Sequence, residues 1–254
     1  MAWGLIWIHP DRSLVEEPQT ALDPTPKRAS RDPHRVIGGS PWDGALEVLR
    51  SRYLLGISGY MLLFSTVATL IYFTRMQMVD ALAQSTDNNT RILAQLDMVT
   101  QTATLALQLV AARQIMRRFG VSTALAILPI FMALGFVGLV AIGTLAIVVA
   151  LDVALKATER AITRPARETL FTVLTDEEKY KSKAFIDTFI YRGGDALGAG
   201  VEGMVGKFAL GLSGLAAIAL PMTAIWTLLG WWLGQEQNRR AERSQPDTEN
   251  STNP

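Results

Sequence analysis

The chain has 254 residues, of which 49% are hydrophobic and only 19% are charged, and its formal net charge is +1. Its mean hydropathy of +0.22 is unusual for a soluble globular protein, in which about a quarter of the residues are charged. The net charge gives no support for nucleic-acid binding, and the lack of cysteine excludes disulfides and thiolate metal sites. The composition predicts a polytopic membrane protein.

The amino-terminal residues do not form a complete membrane span. Residues 1–8 are apolar but too few to cross a hydrocarbon core, which needs roughly 20 helical residues. No basic residues precede them, as they would in a signal peptide. We expect these residues to be the end of a membrane helix whose beginning is absent. Residues 9–50 are rich in proline and charge, a composition typical of a linker, here a cytoplasmic one.

Six apolar segments that follow have the length of a membrane span. They lie at about 53–74, 96–119, 121–140, 141–162, 184–210 and 215–234. The second is the most polar, and the third and fourth join with almost no gap near Gly138–Gly143. Residues 235–254 are charged and then rich in Ser, Thr, Asn and Asp, which is typical of a disordered tail. The predicted fold is therefore an all-α integral membrane domain of six transmembrane helices over residues 53–234.

The positions of Lys and Arg predict the orientation of these spans. With six crossings, most basic residues fall in the linker, the second-to-third turn, the fourth-to-fifth loop and the tail, all on one side. The other side holds only Arg75 and Arg91, opposed by Asp80, Asp87 and Asp97. We expect a multi-pass protein of the plasma (inner) membrane with both termini in the cytoplasm.

Charged residues inside two predicted spans form the candidate substrate site. Asp152 and Lys156 are four residues apart on one helix face in the fourth span, and Arg192 and Asp195 are three apart in the fifth. A charge in hydrocarbon costs at least about 2.5–3.5 kcal/mol on insertion scales, so such residues face a bundle interior or an aqueous path. They indicate one of two arrangements: a pathway for a substrate or for protons, or ion pairs that only hold two helices together.

The fourth-to-fifth loop combines a helix end with a helix start. Pro165 is expected to end the fourth helix, because it lacks an N–H and disfavours helical geometry at Arg164. Thr175 followed by Glu178 is a capping box, so a new helix should begin at Asp176. Three lysines lie near the start of that helix: Lys179, Lys181 and Lys183. They would either attract an anionic solute or lipid, or only anchor the cytoplasmic end of the helix as the positive-inside rule describes.

Glycines in the fifth span predict close helix packing. Residues Gly198 to Gly203 spell G-x-G-x-x-G, but they lie inside a predicted membrane span and not after a strand, as a dinucleotide site requires. With Gly194 they form a small-residue face that lets helices approach closely.

A run of residues in the same region carries a family resemblance. It comprises Pro165, Arg167, Glu168, Leu170, Phe171, Glu178, Lys179, Lys181, Lys183, Ala184, Phe185, Ile186, Asp187, Arg192, Gly193, Gly194 and Asp195. This run resembles the tenth-to-eleventh helix region of the ATP/ADP translocase-like (nucleotide exchanger) branch of the major facilitator superfamily. The resemblance covers about forty residues closely, and the segment 53–234 in outline.

The resemblance implies a twelve-helix transporter of two six-helix halves, with substrate bound between them by alternating access. This chain matches the carboxyl half only, so its partner would be a missing or separate amino-terminal half. We expect a small anionic solute as substrate, and the resemblance alone implies a nucleotide. Lys156 and Arg192 would contact the anion or be ion-paired, with Asp152 and Asp195 as counter-charges or proton carriers.

Two other classes of function remain beside the transporter. In the first, the chain is a truncated, non-transporting membrane remnant or scaffold whose buried charges are purely structural. The second, a membrane enzyme, is not expected, because no His, Cys or paired-carboxylate arrangement is positioned for catalysis. The two histidines, His9 and His34, fall in the polar amino-terminal stretch, so we expect neither a metal centre nor a cofactor.

Overall fold

The computed structural model describes residues 41–82 and 86–243, and within them it describes only the backbone of residues 41–43, 82, 86, 107 and 110–119. These residues are almost all helical, and none of those described lies in a strand. The predicted helix end at 1–8, most of the predicted linker and the tail beyond residue 243 lie outside the described ranges.

The helices are long and connected by few loop residues. In chain order they are α1 Pro41–Arg50, α2 Arg52–Leu82, α3 Thr86–Ile142, α4 Leu145–Thr158, α5 Arg164–Leu170, α6 Asp176–Phe185, α7 Tyr191–Lys207 and α8 Gly211–Arg243. Short π-helical segments, Glu159–Thr163 and Ile186–Ile190, join α4 to α5 and α6 to α7. Residues 145–170 and 176–207 therefore each form one continuous helical run.

In the part of the chain that the structure describes, three helices are long and apolar enough to cross a membrane. They are Arg52–Ala81, Gly120–Ile142 and Gly211–Arg243, and they contain the first, third and sixth predicted spans. The described part of the chain is thus all-helical, and the protein is of membrane type. The other three predicted segments are largely helical as well, but they do not meet the same standard of length and apolarity.

Two glycines divide the bundle where the sequence predicted turns. Gly120 has φ +71° and ψ 174° inside α3, so residues 86–119 and 120–142 are separate helices that meet at a sharp break. Gly143 has φ +64°, and it separates α3 from α4. Positive φ is accessible to glycine at little cost because it has no Cβ.

The expectation that Pro165 ends the fourth helix is wrong. The helix continues through Pro165 to Leu170, with Pro165 in the first turn of α5. The π-helical segment directly before it changes the hydrogen-bond register from i→i−4 to i→i−5. A proline after such a register change can be accommodated because the carbonyl that its ring would otherwise meet is displaced.

Other predicted boundaries differ from the structure at the ends of the bundle. The predicted linker 9–50 contains the helix α1, which lies against α6 so closely that a Cβ at Gly44 would stand 2.5 Å from the carbonyl oxygen of Lys181. The predicted disordered tail 235–254 is helical as far as Arg243. The first predicted span, 53–74, ends eight residues before α2 does at Leu82.

Helix directions alternate along the chain. Contacts with α2 fix most of them. Three runs are antiparallel to α2: residues 86–119 through Asp80–Asn89 and Arg75–Asp97, residues 145–170 through Arg75–Asp152 and Tyr53–Leu170, and α8 through Gly56–Trp232 and Phe64–Trp226. The run 176–207 is parallel to α2, as Ser65–Asp195 and Gln77–Glu202 show. Residues 120–142 run antiparallel to α8, because Gly234 meets Ser122 and Gly230 meets Leu125.

An aromatic cluster holds α2, α3 and α8 together. The Tyr60 ring meets Trp226 edge-on with centroids 5.6 Å apart, and Phe64 lies 5.9 Å from the same indole. The Tyr60 hydroxyl donates to the carbonyl oxygen of Leu125 at 2.9 Å. Such pairs contribute about 0.5–1.5 kcal/mol each beyond the area they bury.

The outward faces of α3 and α8 are apolar. On residues 120–142 they include Phe131 and Leu134, 52% and 64% exposed, and on α8 they include Leu228, 71% exposed. A water-soluble monomer rarely exposes apolar side chains in such continuous patches. This surface is the one expected to face lipid.

Candidate functional site

Four charged side chains from α2, α3 and α4 meet in one cluster, which we call the charge cluster: Arg75, Asp97, Asp152 and Lys156. Arg75 Nη1 lies 2.8 Å from Asp97 Oδ1 and 2.9 Å from Asp152 Oδ2. Lys156 Nζ donates to the same Asp152 oxygen at 2.9 Å. Arg75 and Asp152 are each only 5% exposed, so the cluster joins three helices through buried charge.

Local helix geometry positions this cluster. Asp152 and Lys156 share a face of α4 because four residues make about one turn, and the predicted spacing of this pair corresponds to an ion pair in the structure. Arg75 reaches them because α2 continues to Leu82 and does not end at residue 74.

Sequence reasoning did not include Arg75 and Asp97 in the site: it placed Arg75 in the loop after the first span and counted Asp97, at the start of the second span, among the charges on the opposite side of the membrane. Arg75 follows directly after the predicted span 53–74, and the sequence has no proline or glycine between it and Leu82. That uninterrupted helix-compatible stretch is the signal that would have placed Arg75 inside the helix.

The cluster differs in accessibility from one end to the other. The Asp152 carboxylate is shielded at 8% side-chain exposure, whereas the Lys156 side chain is 30% exposed. One turn further along, Arg160 Nη1 donates to Gln101 Oε1 at 2.9 Å, and both of these residues are exposed. Lys156 and Arg160 thus present two cations on one accessible face of the helical run 145–170, an arrangement that can hold an anion.

Arg192 and Asp195 form a second, separate polar site between α7 and α2. Asp195 accepts hydrogen bonds from Ser65 and, at 3.2 Å, from Thr69. Arg192 lies 3.7 Å from Asp195 and its side chain is 82% exposed. Thr69 and the Arg75 of the charge cluster are six residues apart, about 9 Å along the axis of α2, so the two predicted charge pairs do not share one set of contacts.

Ion pairs form at the junction of α5 and α6 among the residues of the predicted cytoplasmic loop motif, which are Arg164, Pro165, Arg167, Glu168, Lys179, Lys181, Lys183 and Asp187. Lys183 donates to Glu168 at 2.7 Å, and Arg167 lies 3.8 Å from Asp187 and donates to the Met61 sulfur at 3.1 Å. Partial burial disfavours the Glu168 carboxylate, but the hydrogen bond and charge of Lys183, with Arg167, outweigh it and lower the pKa of Glu168.

The remaining residues of the loop motif lie around these pairs. Lys179 adds positive charge that also lowers the pKa of Glu168, and Lys181 pairs with Glu177 at 2.7 Å. Arg164 is exposed and Pro165 is partly buried. The predicted capping box is present, because Glu178 N–H donates to the Thr175 hydroxyl at 3.3 Å and Thr175 N–H donates to Glu178 at 3.0 Å.

The glycines of α7 fall on two different faces. A Cβ at Gly194 would stand 2.6 Å from the Leu62 carbonyl oxygen, and one at Gly198 would stand 2.8 Å from that of Thr66. These two glycines therefore let α7 approach α2 closely. Gly203 is not part of this contact, since no described atom lies within 4 Å of where its Cβ would stand; the packing role of Gly203 stays a prediction.

Among the described residues, no group of three or more His, Cys, Asp or Glu side chains is arranged to hold a metal ion. The chemistry available in the two polar sites is ion pairing and hydrogen bonding.

No protein-family model, curated protein or solved structure matches the chain. The resemblance to the nucleotide exchangers therefore rests on the quoted run of residues alone, and function has to be argued from the geometry of the site.

Proposed function

We propose that residues 53–234 cross the membrane six times and act as the carboxyl half of a major facilitator-type transporter, with both termini in the cytoplasm. The half moves a small anionic metabolite by rocking against a second six-helix half. The family resemblance supports a nucleotide as the metabolite.

Helix direction and length support six crossings. The six helical runs from Arg52 to Arg243 alternate in direction, as consecutive membrane spans must. The runs 86–119, 145–170 and 176–207 are each longer than the roughly 20 residues that a span requires. The basic residues of α5 and of the first turns of α6 lie at one end of the run 176–207, and the Gly211–Gly214 turn, which has no Lys or Arg, lies at the other. This distribution of positive charge supports a cytoplasmic position for the basic end.

The observation that carries the proposal is the charge cluster. Its members lie within helices whose neighbouring residues are mostly apolar, and holding such charges inside a membrane domain is costly. The two carboxylates of the cluster balance Arg75 and Lys156, so Arg160, which donates to the neutral Gln101, leaves one positive charge in excess on the accessible face. This face suits contact with an anionic solute in a cavity shared with the partner half.

Arg192 has a related role in this proposal. Its side chain is exposed, and a charge exposed to lipid would be unfavourable. A polar cavity between two halves removes that cost, with Asp195 anchored on α2 as its counter-charge.

Uptake by vesicles made from the membranes of the chain's own cells tests the proposal, because such vesicles retain the second half that the chain needs. We would compare vesicles from cells that have the chain with vesicles from cells that lack it, using labelled ADP with ATP inside and labelled inorganic phosphate as a second probe. Lys156→Gln and Arg192→Gln should each lower uptake at least tenfold, whereas Lys207→Gln, an exposed cation outside both polar sites, should leave it unchanged. Uptake no greater than in cells that lack the chain, or insensitive to the first two substitutions, contradicts transport by this chain.

One observation favours the structural alternative, in which the chain is a non-transporting remnant or scaffold. The buried oxygen of Asp152 is shared by Arg75 and Lys156, as expected of charges that only connect helices. In that case Lys156→Gln would lower the stability of the bundle without changing the flux of any solute.

A further inference from the structure

A cavity of about 330 Å³ lies between α2, α7 and α8, at the end of the bundle away from the basic loop. Its wall includes two polar residues of α2, one of the two acidic residues of α7 and apolar residues of α7 and α8: Thr74, Gln77, Glu202, Val205, Leu212 and Leu215. No member of the charge cluster lines it, and the proposed transport makes no use of it.

Glu202 is the unusual member of this wall. The residue is 8% exposed, and one carboxylate oxygen accepts a hydrogen bond from the Gln77 side-chain amide. The other oxygen, Oε2, is shielded from solvent and has no hydrogen-bond partner among the described residues. Burying a carboxylate oxygen without a donor is unfavourable, so an occupant that supplied a donor there would be stabilised. The terminal torsion of a glutamate side chain is soft, and turning it to bring Oε2 to the cavity exchanges the Gln77 hydrogen bond for one from the occupant.

The polar groups of the wall are suited to a donor with a single positive charge. Glu202 brings one carboxylate, Gln77 an amide oxygen, and Thr74 a hydroxyl oxygen whose own proton goes to the carbonyl of Leu70 at 2.8 Å. An ammonium group has three N–H donors and no acceptor, so a wall whose polar groups offer acceptor oxygens suits it. None of the residues lining the cavity is basic.

Other cations fit this wall less well. Calcium takes six to eight oxygen ligands, usually with several carboxylates, and here only one carboxylate is present. The volume also exceeds the need of a proton or a bare ion, because a water molecule takes about 30 Å³. Val205, Leu212 and Leu215 line the rest of the wall and suit an apolar stem.

We propose that this cavity binds a primary ammonium group carried on a short alkyl chain, with the nitrogen at Glu202 and the chain against α8. The same chemistry is offered by a free alkylamine and by the ethanolamine headgroup of a phospholipid.

Titration calorimetry of the full chain in detergent, corrected for empty micelles, tests the site. The probe is n-hexylamine, and n-hexanol is the neutral probe of matching shape. Saturable hexylamine binding is expected, at least tenfold tighter than that of hexanol. Glu202→Gln, which keeps the size of the side chain, should weaken hexylamine binding at least tenfold. Equal affinity in the native chain and Glu202→Gln would overturn the proposal.

Two more variants keep the test decisive. Thr74→Val removes one acceptor at constant shape and should weaken hexylamine binding about three- to tenfold, the usual effect of one hydrogen bond. Glu236→Gln changes a carboxylate near the other end of α8 and should have no effect. If Glu202→Gln does not fold, the proposal can still be overturned by the other measurements. It is overturned if hexylamine binds the native and Thr74→Val chains equally and binds no more tightly than hexanol.

Lipid nanodiscs separate the two sources of the ammonium group. If the lipid headgroup is the occupant, adding phosphatidylethanolamine to phosphatidylcholine discs will weaken hexylamine binding in the native chain by competition. If a free amine is the occupant, lipid composition will leave hexylamine affinity unchanged. Either result supports an ammonium site, provided that Glu202→Gln lowers the affinity for hexylamine. The ammonium site does not depend on the proposed transport, which is measured separately in the Glu202→Gln variant.

Discussion

Removal of Asp152 is the sharpest perturbation of the charge cluster. Asp152 Oδ2 accepts hydrogen bonds at 2.9 Å from both Arg75 and Lys156, and the Arg75 side chain is only 6% exposed. Asp152→Leu would leave Arg75 as a buried cation whose remaining partner, Asp97, is 54% exposed. Because breaking a buried ion pair from one side costs about 3–5 kcal/mol, we expect the free energy of unfolding to fall by about that amount.

The matched variants separate charge from packing. Arg75→Leu with Asp152→Leu removes both buried charges, and replacing a buried pair by apolar residues is often neutral, so the double variant should recover most of the stability lost in the single one. Lys156→Leu changes a more exposed member and should cost less than about 1 kcal/mol, as partly solvated pairs do.

Reversible unfolding of the purified chain in mixed micelles, followed by helical circular dichroism, measures these differences. The reasoning fails if Asp152→Leu costs less than about 1 kcal/mol, far below the usual penalty. It also fails if the double variant loses the sum of the two single losses, since residues in contact should not be additive.

Three further predictions concern the packing, the cap and the loop. Gly194→Leu should lower the free energy of unfolding by about 1–3 kcal/mol because a side chain there overpacks the α2 contact, while Gly203→Leu, which faces open space, should change it little in the same micelle assay. Thr175→Ala should cost about 1 kcal/mol through loss of the helix cap, seen as a lower thermal midpoint. The folded state lowers the pKa of Glu168 from 4.5, so the pairing of Glu168 with Lys183 stabilises the fold above pH 4.5 and is lost as the pH falls through the lower folded pKa. Glu168→Gln should therefore flatten the loss of stability at acid pH when unfolding is measured over a pH series. If that loss is unchanged in the variant, Glu168 is not its source.

Much of the helical framework could be predicted from local sequence signals. The apolar segments lie in helices because long runs of aliphatic residues favour helix in a membrane, where backbone groups must pair internally. The capping box at Thr175 and the breaks at Gly120 and Gly143 depend on a few neighbouring residues, so the sequence is sufficient to locate them.

The features that sequence reasoning missed depend on contacts between distant residues. Arg75 meets Asp152 across 77 positions, and the loop assignment of Arg75 concealed that contact. The helix passes through Pro165 because a π-helical segment precedes it, and a single proline in the sequence does not reveal such a segment. Gly194 and Gly198 are four residues apart and share one face of α7, whereas Gly203 is five residues beyond Gly198 and lies off that face, and only the position of α2 shows which face is covered.

The number of membrane crossings is the central claim, and single-cysteine labelling tests it most directly, because the chain has no cysteine of its own. Tyr180→Cys lies in the basic loop region and Ser213→Cys in the turn that begins α8, and both positions are exposed. With six crossings, a membrane-impermeant maleimide should label Ser213→Cys from outside intact cells and Tyr180→Cys only in inverted vesicles. Labelling of both positions from the same side would mean that residues 176–207 do not cross the membrane, and it would contradict the account.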